Sequence, residues 1–287
     1  MYRLINIKAA STAKEKFQWA KDLESGKVLF LENFNFKILP NEKKFFTPEI
    51  LSKHSKNVSL DLNNNIRGTN LTNDDSKELV KMISRFRLEA KKLIITNFPK
   101  YKNHIKLAPT SFRPVDVFSR KTSWRSDDTK LHVDAFPSRP NNGVRILRVF
   151  INLNPKGKAR VWRIGENIEA IANKFIHKVK PYSPIKAKIL FLLGITKSFR
   201  TQYDHIMLEL HDLMKKDLVY QKESSQILVP FKTNTVWICF SDQAAHAAMS
   251  GQYMMEQTFY LQSKHQYEPG KSPIEVLRRV TEKNNLI

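Results

Sequence analysis

Cysteine is almost missing from this 287-residue chain: Cys239 stands alone. No disulfide framework can form within one chain, which points to a reducing compartment. Cys239 lies in the apolar run Val236-Trp237-Ile238-Cys239-Phe240 and reads as a buried, inert thiol. Glycine is also scarce, with 8 residues, and no glycine-rich phosphate loop occurs, so nucleotide-binding folds lose support. Long apolar runs are absent. The longest, such as Ile189 to Leu193, fall far short of a bilayer span, and Met1-Tyr2-Arg3-Leu4 lacks the apolar core of a signal peptide. Acidic residues are few: 27 Asp and Glu face 49 Lys and Arg, for a net charge of +22. The basic residues run along the whole chain, so polyanions are the expected partners: nucleic acid, an anionic membrane surface or an acidic lipid. The plainer alternative is a solvated lysine-rich surface.

Hydrophobic residues make up 41%, ample for one large domain. Periodicity predicts helices over 12–24, 73–94, 167–175, 202–218 and 273–282. It predicts strands over 27–31, 58–62, 110–119, 130–134, 145–154, 159–164, 225–229, 235–241 and 257–262. The apolar run Ile189–Ile195, with Lys186 and Lys188 before it and Lys197 after, is read as core, with lipid contact as the alternative. Helices come first, then strands with inserted helices. That order favours an α+β chain with a mainly β core, a sandwich or barrel wrapped by helices. We expect one catalytic domain over 1–287: a mainly helical flanking part over 1–109, the β core over 110–265, and a C-terminal helix over 266–287.

His132-Val133-Asp134 carries the chemistry. Alternate residues of an extended segment point the same way, so His132 and Asp134 share a face. His246, flanked by Ala244, Ala245 and Ala247, is the candidate third ligand. Two histidines and one carboxylate form the facial triad of non-haem Fe(II) oxygenases, which leaves metal positions open for cosubstrate and oxygen. Arg148, within an apolar strand, needs a carboxylate partner. The far carboxylate of α-ketoglutarate would supply one in bidentate fashion; an internal ion pair with Glu256 or Asp116 is the alternative. Arg145 falls on the opposite face by parity and is the weaker candidate. Arg139, Arg160 and Arg163, the last two flanking Trp162, are candidate contacts for an anionic substrate, or else a solvated rim.

Longer blocks go further than the triad. His132-Val-Asp-Ala-Phe-Pro-Ser-Arg-Pro140, Gly143-Val-Arg-Ile-Leu-Arg-Val-Phe150 and Arg160-Val-Trp-Arg-Ile-Gly-Glu166 resemble the Kdo hydroxylase family. So do Leu193-Gly-Ile-Thr-Lys-Ser198, Tyr203-Asp-His-Ile-Met207, Ser250-Gly-Gln-Tyr253 and Glu256-Gln-Thr-Phe-Tyr260. The likeness runs over nearly the whole chain.

The resemblance implies a double-stranded β-helix (jelly roll, cupin-like) with flanking helices. It implies an Fe(II)/α-ketoglutarate-dependent dioxygenase that uses molecular oxygen to hydroxylate carbon 3 of 3-deoxy-D-manno-octulosonic acid (Kdo), giving Ko. The implied substrate is Kdo-lipid A or a lipopolysaccharide precursor, not nucleic acid. The implied place is the cytoplasm, peripheral to the anionic inner-membrane face. The family's iron ligands fall on His132, Asp134 and His246. Two other readings of the residues stay open: an Fe(II) oxygenase acting on nucleic acid, and a non-catalytic basic binding module.

Overall fold

The computed structural model describes residues 3–8, 11–117 and 123–287. Among the described residues, eleven strands form two sheets. The large sheet holds β1 (Leu4–Asn6), β2 (Val28–Leu31), β3 (Val58–Leu60), β4 (Ile66–Arg67), β5 (Lys106–Arg113), β6 (Arg145–Asn152), β9 (Val236–Phe240) and β11 (Met254–Leu261). Its order is β1-β2-β9-β6-β11-β5-β3-β4. The small sheet is β10 (Ala244–Ser250), β7 (Arg160–Asn167) and β8 (Ile227–Phe231), in that order. His132 adds to its edge through a single antiparallel bridge to His246. From β5 onward the chain passes between the sheets: large, small at His132, large at β6, small at β7 and β8, large at β9, small at β10, large at β11. This is the jelly-roll winding of a double-stranded β-helix, here with strands added at both edges of the large sheet.

Alternation along the strands builds three cores. Leu147, Val149 and Ile151 of β6 point away from the small sheet. They pack toward α1 (Ala13–Glu24) and α2 (Asn73–Asn97), whose buried stripe is Leu79, Met82, Ile83, Phe86, Ala90 and Ile94. Phe150 of β6 points inward and meets Trp162, Phe231, Trp237 and Cys239 between the sheets. Behind the small sheet, Ala245 and Ala247 pack against α3 (Ile168–Phe175), α5 (Gln202–Lys216) and α7 (Pro273–Thr281). Between α3 and α5 lies α4 (Pro184–Leu192), and α6 (Leu218–Glu223) precedes β8. The N-terminus of α1 is fixed by a capping box: Thr12 Oγ1 accepts from Glu15 N, and Glu15 accepts from Thr12 N.

The structure adjusts several expectations. The β core begins at Lys106, not 110, and residues 1–109 also supply β1 to β4 at the edges of the large sheet. The strand expected over 110–119 ends at Arg113, and 118–119 lie outside the described residues. The strand expected over 130–134 is reduced to the bridge at His132. β10 is a strand where periodicity predicts none. The Ile189–Ile195 run is not core: Ile189, Phe191, Leu192, Leu193 and Ile195 are exposed.

Candidate active site

Three backbone hydrogen bonds place the tripeptide. His132 N donates to His246 O at 3.1 Å, His246 N donates to His132 O at 2.8 Å, and Asp134 N donates to Ser241 O at 2.8 Å. Leu131 and Val133 anchor in the helix-side core with 0% exposure, which turns His132 and Asp134 toward the space between the sheets. On β10 the same parity aims His246 inward, between Ala244 and Ala248. The ligand atoms of His132, Asp134 and His246 lie within 4.8 Å of one another.

The donor set suits a divalent transition metal. Nδ1 of His132 meets Lys130 O at 2.7 Å, and Nδ1 of His246 meets Ala244 O at 2.9 Å. A ring nitrogen against a carbonyl must carry the proton, so each imidazole keeps its Nε2 lone pair for a metal. Burial holds both imidazoles below their ordinary pKa, His132 further because His246 and Lys215 add like charge. Burial pushes the Asp134 carboxyl up, but Arg148 and the two imidazoles outweigh it and hold it well below the usual carboxylate range. The result is two neutral imidazoles and one carboxylate, the ligand states a metal requires. His211 lies edge-on to His132 at 5.4 Å but is outside the cluster, with Nδ1 3.0 Å from Asp212 Oδ1.

A cavity of about 60 Å³ opens beside the triad, lined also by Arg113, Asp128, Arg148, Arg160, Trp162 and Glu256. A line of alternating charge runs along it. Asp134 Oδ2 lies 3.0 Å from Arg148 Nη2, and Arg148 Nη1 lies 3.0 Å from Glu256 Oε1. Glu256 Oε2 then meets Arg113 Nη2 at 3.2 Å. The ion pair to Glu256 considered for Arg148 therefore exists, and Asp134 is a second partner. Buried Arg148 Nε has no hydrogen-bond acceptor among the described residues, leaving a donor for an incoming carboxylate. Arg160 donates from Nη1 to Gly251 O at 3.0 Å and is buried at the cavity wall. The Trp162 ring stacks on His246 at 5.2 Å between centroids and 18° between planes.

The other expected arginines lie elsewhere. Arg145 points out of the β-sandwich with the odd-numbered residues of β6. It is 0% exposed, gives its donors to Asp242, Gln243 and Gln266, and does not reach the cavity. Arg163, one residue out of phase with Trp162, ties β7 to Gln221 O and Thr129 O. Arg139 is exposed in the turn after Asp134 and does not line the cavity. Arg113 and Asp128 join the cavity wall in addition to the expected residues. Arg113 carries the same signal as Arg148, a charge within a strand.

Residues 6–284 match the family of 3-deoxy-D-manno-oct-2-ulosonic acid (Kdo) hydroxylases. The chain belongs to this family. It is thereby a non-haem Fe(II)/α-ketoglutarate-dependent dioxygenase. The chain is similar to the crystal structure of the Kdo hydroxylase KdoO in complex with cobalt(II), with 42% identity, TM-score 0.95, and coverage of 99% of this chain and 97% of that one. It is similar to KdoO in complex with α-ketoglutarate and Fe(III), with 41% identity, TM-score 0.94, and the same coverage of 99% and 97%. Apo KdoO also matches, at 42% identity, TM-score 0.94, over 99% and 97% of the two chains. Comparison with the curated proteins gives no match. Membership of this family sets aside the nucleic-acid oxygenase and the non-catalytic module.

Proposed function

We propose that residues 1–287 act as one catalytic domain that hydroxylates carbon 3 of Kdo carried on lipid A or a lipopolysaccharide precursor, at the cytoplasmic face of the inner membrane. The observation that carries this reading is the inward-facing His132, Asp134 and His246 beside a wall of arginines. Iron bound there supplies oxygen activation coupled to decarboxylation of α-ketoglutarate.

The remaining work belongs to the chain's own residues. The cavity wall carries three arginines, Arg113, Arg148 and Arg160, against three acids, Asp128, Asp134 and Glu256. These charges cancel, so a divalent metal leaves an excess of two, which the two carboxylates of α-ketoglutarate balance. Arg148, through Nε, and Arg160 hold the far carboxylate; Arg148 also steadies Asp134. Arg113 lies beyond Glu256, and we assign it to the sugar carboxylate, which sits two carbons from the reacting centre. Trp162 and Phe150 close one wall against water.

The deciding experiment is mass spectrometry of Kdo-lipid A after incubation with the protein, Fe(II), α-ketoglutarate and oxygen. The expected result is a gain of one oxygen on Kdo, with matching succinate, and loss of both in His132→Ala. An unmodified Kdo with wild-type protein, or full turnover in His132→Ala, overturns the reading.

A further inference from the structure

The segment from α4 to Arg200 is largely apolar, interrupted by Lys186, Lys188 and Lys197, yet its large apolar side chains stand outside the fold. Ile185 is 75% exposed, Leu192 71% and Leu193 69%, and within the helix only Ala187 is buried. Large apolar side chains over most of a helix surface normally lie inside a protein or in lipid. This one is well formed rather than frayed. Ser183 Oγ caps its N-terminus by accepting from Lys186 N, and Pro184 occupies the first turn. Gly194, at φ +68°, ends it, with Gly194 N donating to Phe191 O and Ile195 N to Leu190 O.

The hairpin is fastened at its base and to the active-site rim. Tyr182 Oη donates to Arg200 O at 2.7 Å, closing the base. Lys197 N donates to Ser138 O at 2.8 Å, and Ser198 Oγ to Pro140 O at 3.3 Å. Those acceptors lie in the turn that begins three residues after Asp134.

Charge identifies the occupant. No Asp or Glu occurs over residues 170–203, while Lys186 and Lys188 lie within the apolar segment and Lys197 and Arg200 follow it in sequence. Cations interspersed with exposed Ile, Leu and Phe, with no acid among them, match an anionic lipid surface, with apolar side chains below the headgroups and lysines at the phosphates. At nine residues α4 is too short to span a bilayer. Among the described residues no helix is long and apolar enough to cross a membrane.

We propose that the hairpin 184–199 is a monotopic anchor that inserts into the interface of an anionic phospholipid bilayer. It sets the rim beside Asp134 at the headgroup plane, where the sugar of a lipid-linked substrate lies. The anchor deepens the lipid-linked reading given above and rests on it.

The test uses the full-length protein and vesicles of phosphatidylethanolamine with phosphatidylglycerol, compared with phosphatidylcholine alone, in a cosedimentation assay. Wild type is expected to partition onto the anionic vesicles, less so at high salt. The triple variant Ile185→Glu, Leu192→Glu, Leu193→Glu is expected to lose about a hundredfold or more in partition while melting like wild type, since those side chains are exposed. Lys186→Glu with Lys188→Glu and Lys197→Glu is expected to remove the preference for anionic lipid. Wild type that stays in the supernatant, or a triple variant that sediments equally, overturns the anchor. So does a wild-type dimer, seen by light scattering, that the triple variant dissolves without any change in vesicle binding. A protein that sediments with vesicles but never oxidises Kdo overturns the hydroxylase reading alone.

Discussion

Arg148 Nη2 lies 3.0 Å from Oδ2 of Asp134, the carboxylate that completes the cluster with His132 and His246. The contact fixes which carboxylate oxygen faces the metal position and keeps Asp134 ionised. Burial disfavours the Arg148 charge, but Asp134 and Glu256 overcome that and raise its pKa further.

Replacing Arg148 by Ala leaves two carboxylates, Asp134 and Glu256, without their shared cation. Metal affinity is expected to fall about 10- to 100-fold, with turnover falling further. Titration calorimetry with Mn(II) in place of iron measures the first effect. Unchanged affinity in Arg148→Ala rules out the orienting role. Arg148→Lys should recover part of the loss, since a single ammonium cannot bridge both acids as a guanidinium does.

The triad also sets a pH dependence. His132 and His246 have folded pKa values below the ordinary 6.5. Below 6.5 the unfolded chain takes up protons that the folded, metal-free protein refuses, so stability falls as pH drops. Above 6.5 the two states bind equally and this contribution is flat. Urea midpoints of metal-free protein at about pH 7.5 and about pH 5.5 should therefore decrease on acidification, and decrease less in His246→Asn. A midpoint that rises on acidification in wild type contradicts the sign.

Gly251 shapes the position of Arg160. It sits at φ +117°, and a Cβ there would lie 2.8 Å from Arg160 Cα. Gly251→Ala is expected to cost about 1–3 kcal/mol in stability and to raise the KM for α-ketoglutarate as Arg160 shifts. Gly157, at φ +71° with nothing within 4 Å of a Cβ, is the control, because Gly157→Ala adds strain without a collision. Equal KM values in the two variants would separate Arg160 from the cosubstrate.

Cys239 is fully buried on β9, and burial raises its thiol far above the ordinary range. The folded protein should resist a thiol reagent such as dithiobis(nitrobenzoate), and one equivalent should react after unfolding. Rapid reaction of the folded protein would show that the inter-sheet core opens.

Much of the site was legible because strand parity is a strong signal. β6 alternates cleanly, so Arg148 fell on one face and Arg145 on the other. The same rule, applied to β7, separates Arg160 and Trp162 from Arg163. β10 was harder to see. Its Ala-rich run has weak strand preference, and its alternating faces are both largely apolar and buried, so no polar-apolar alternation marks it. The α4 run shows a different limit. Hydropathy states that a segment leaves water; only its position in the fold shows that protein does not cover it.

The stack of Trp162 on His246 has an optical consequence. An indole in van der Waals contact with a ligand imidazole is placed within quenching range of an open-shell metal. The Trp162 and Trp237 ring centroids lie 5.3 Å apart, so excitation of either indole can reach the same quencher. The chain thus carries a built-in emission probe of the metal's arrival, one that responds before any substrate is turned over.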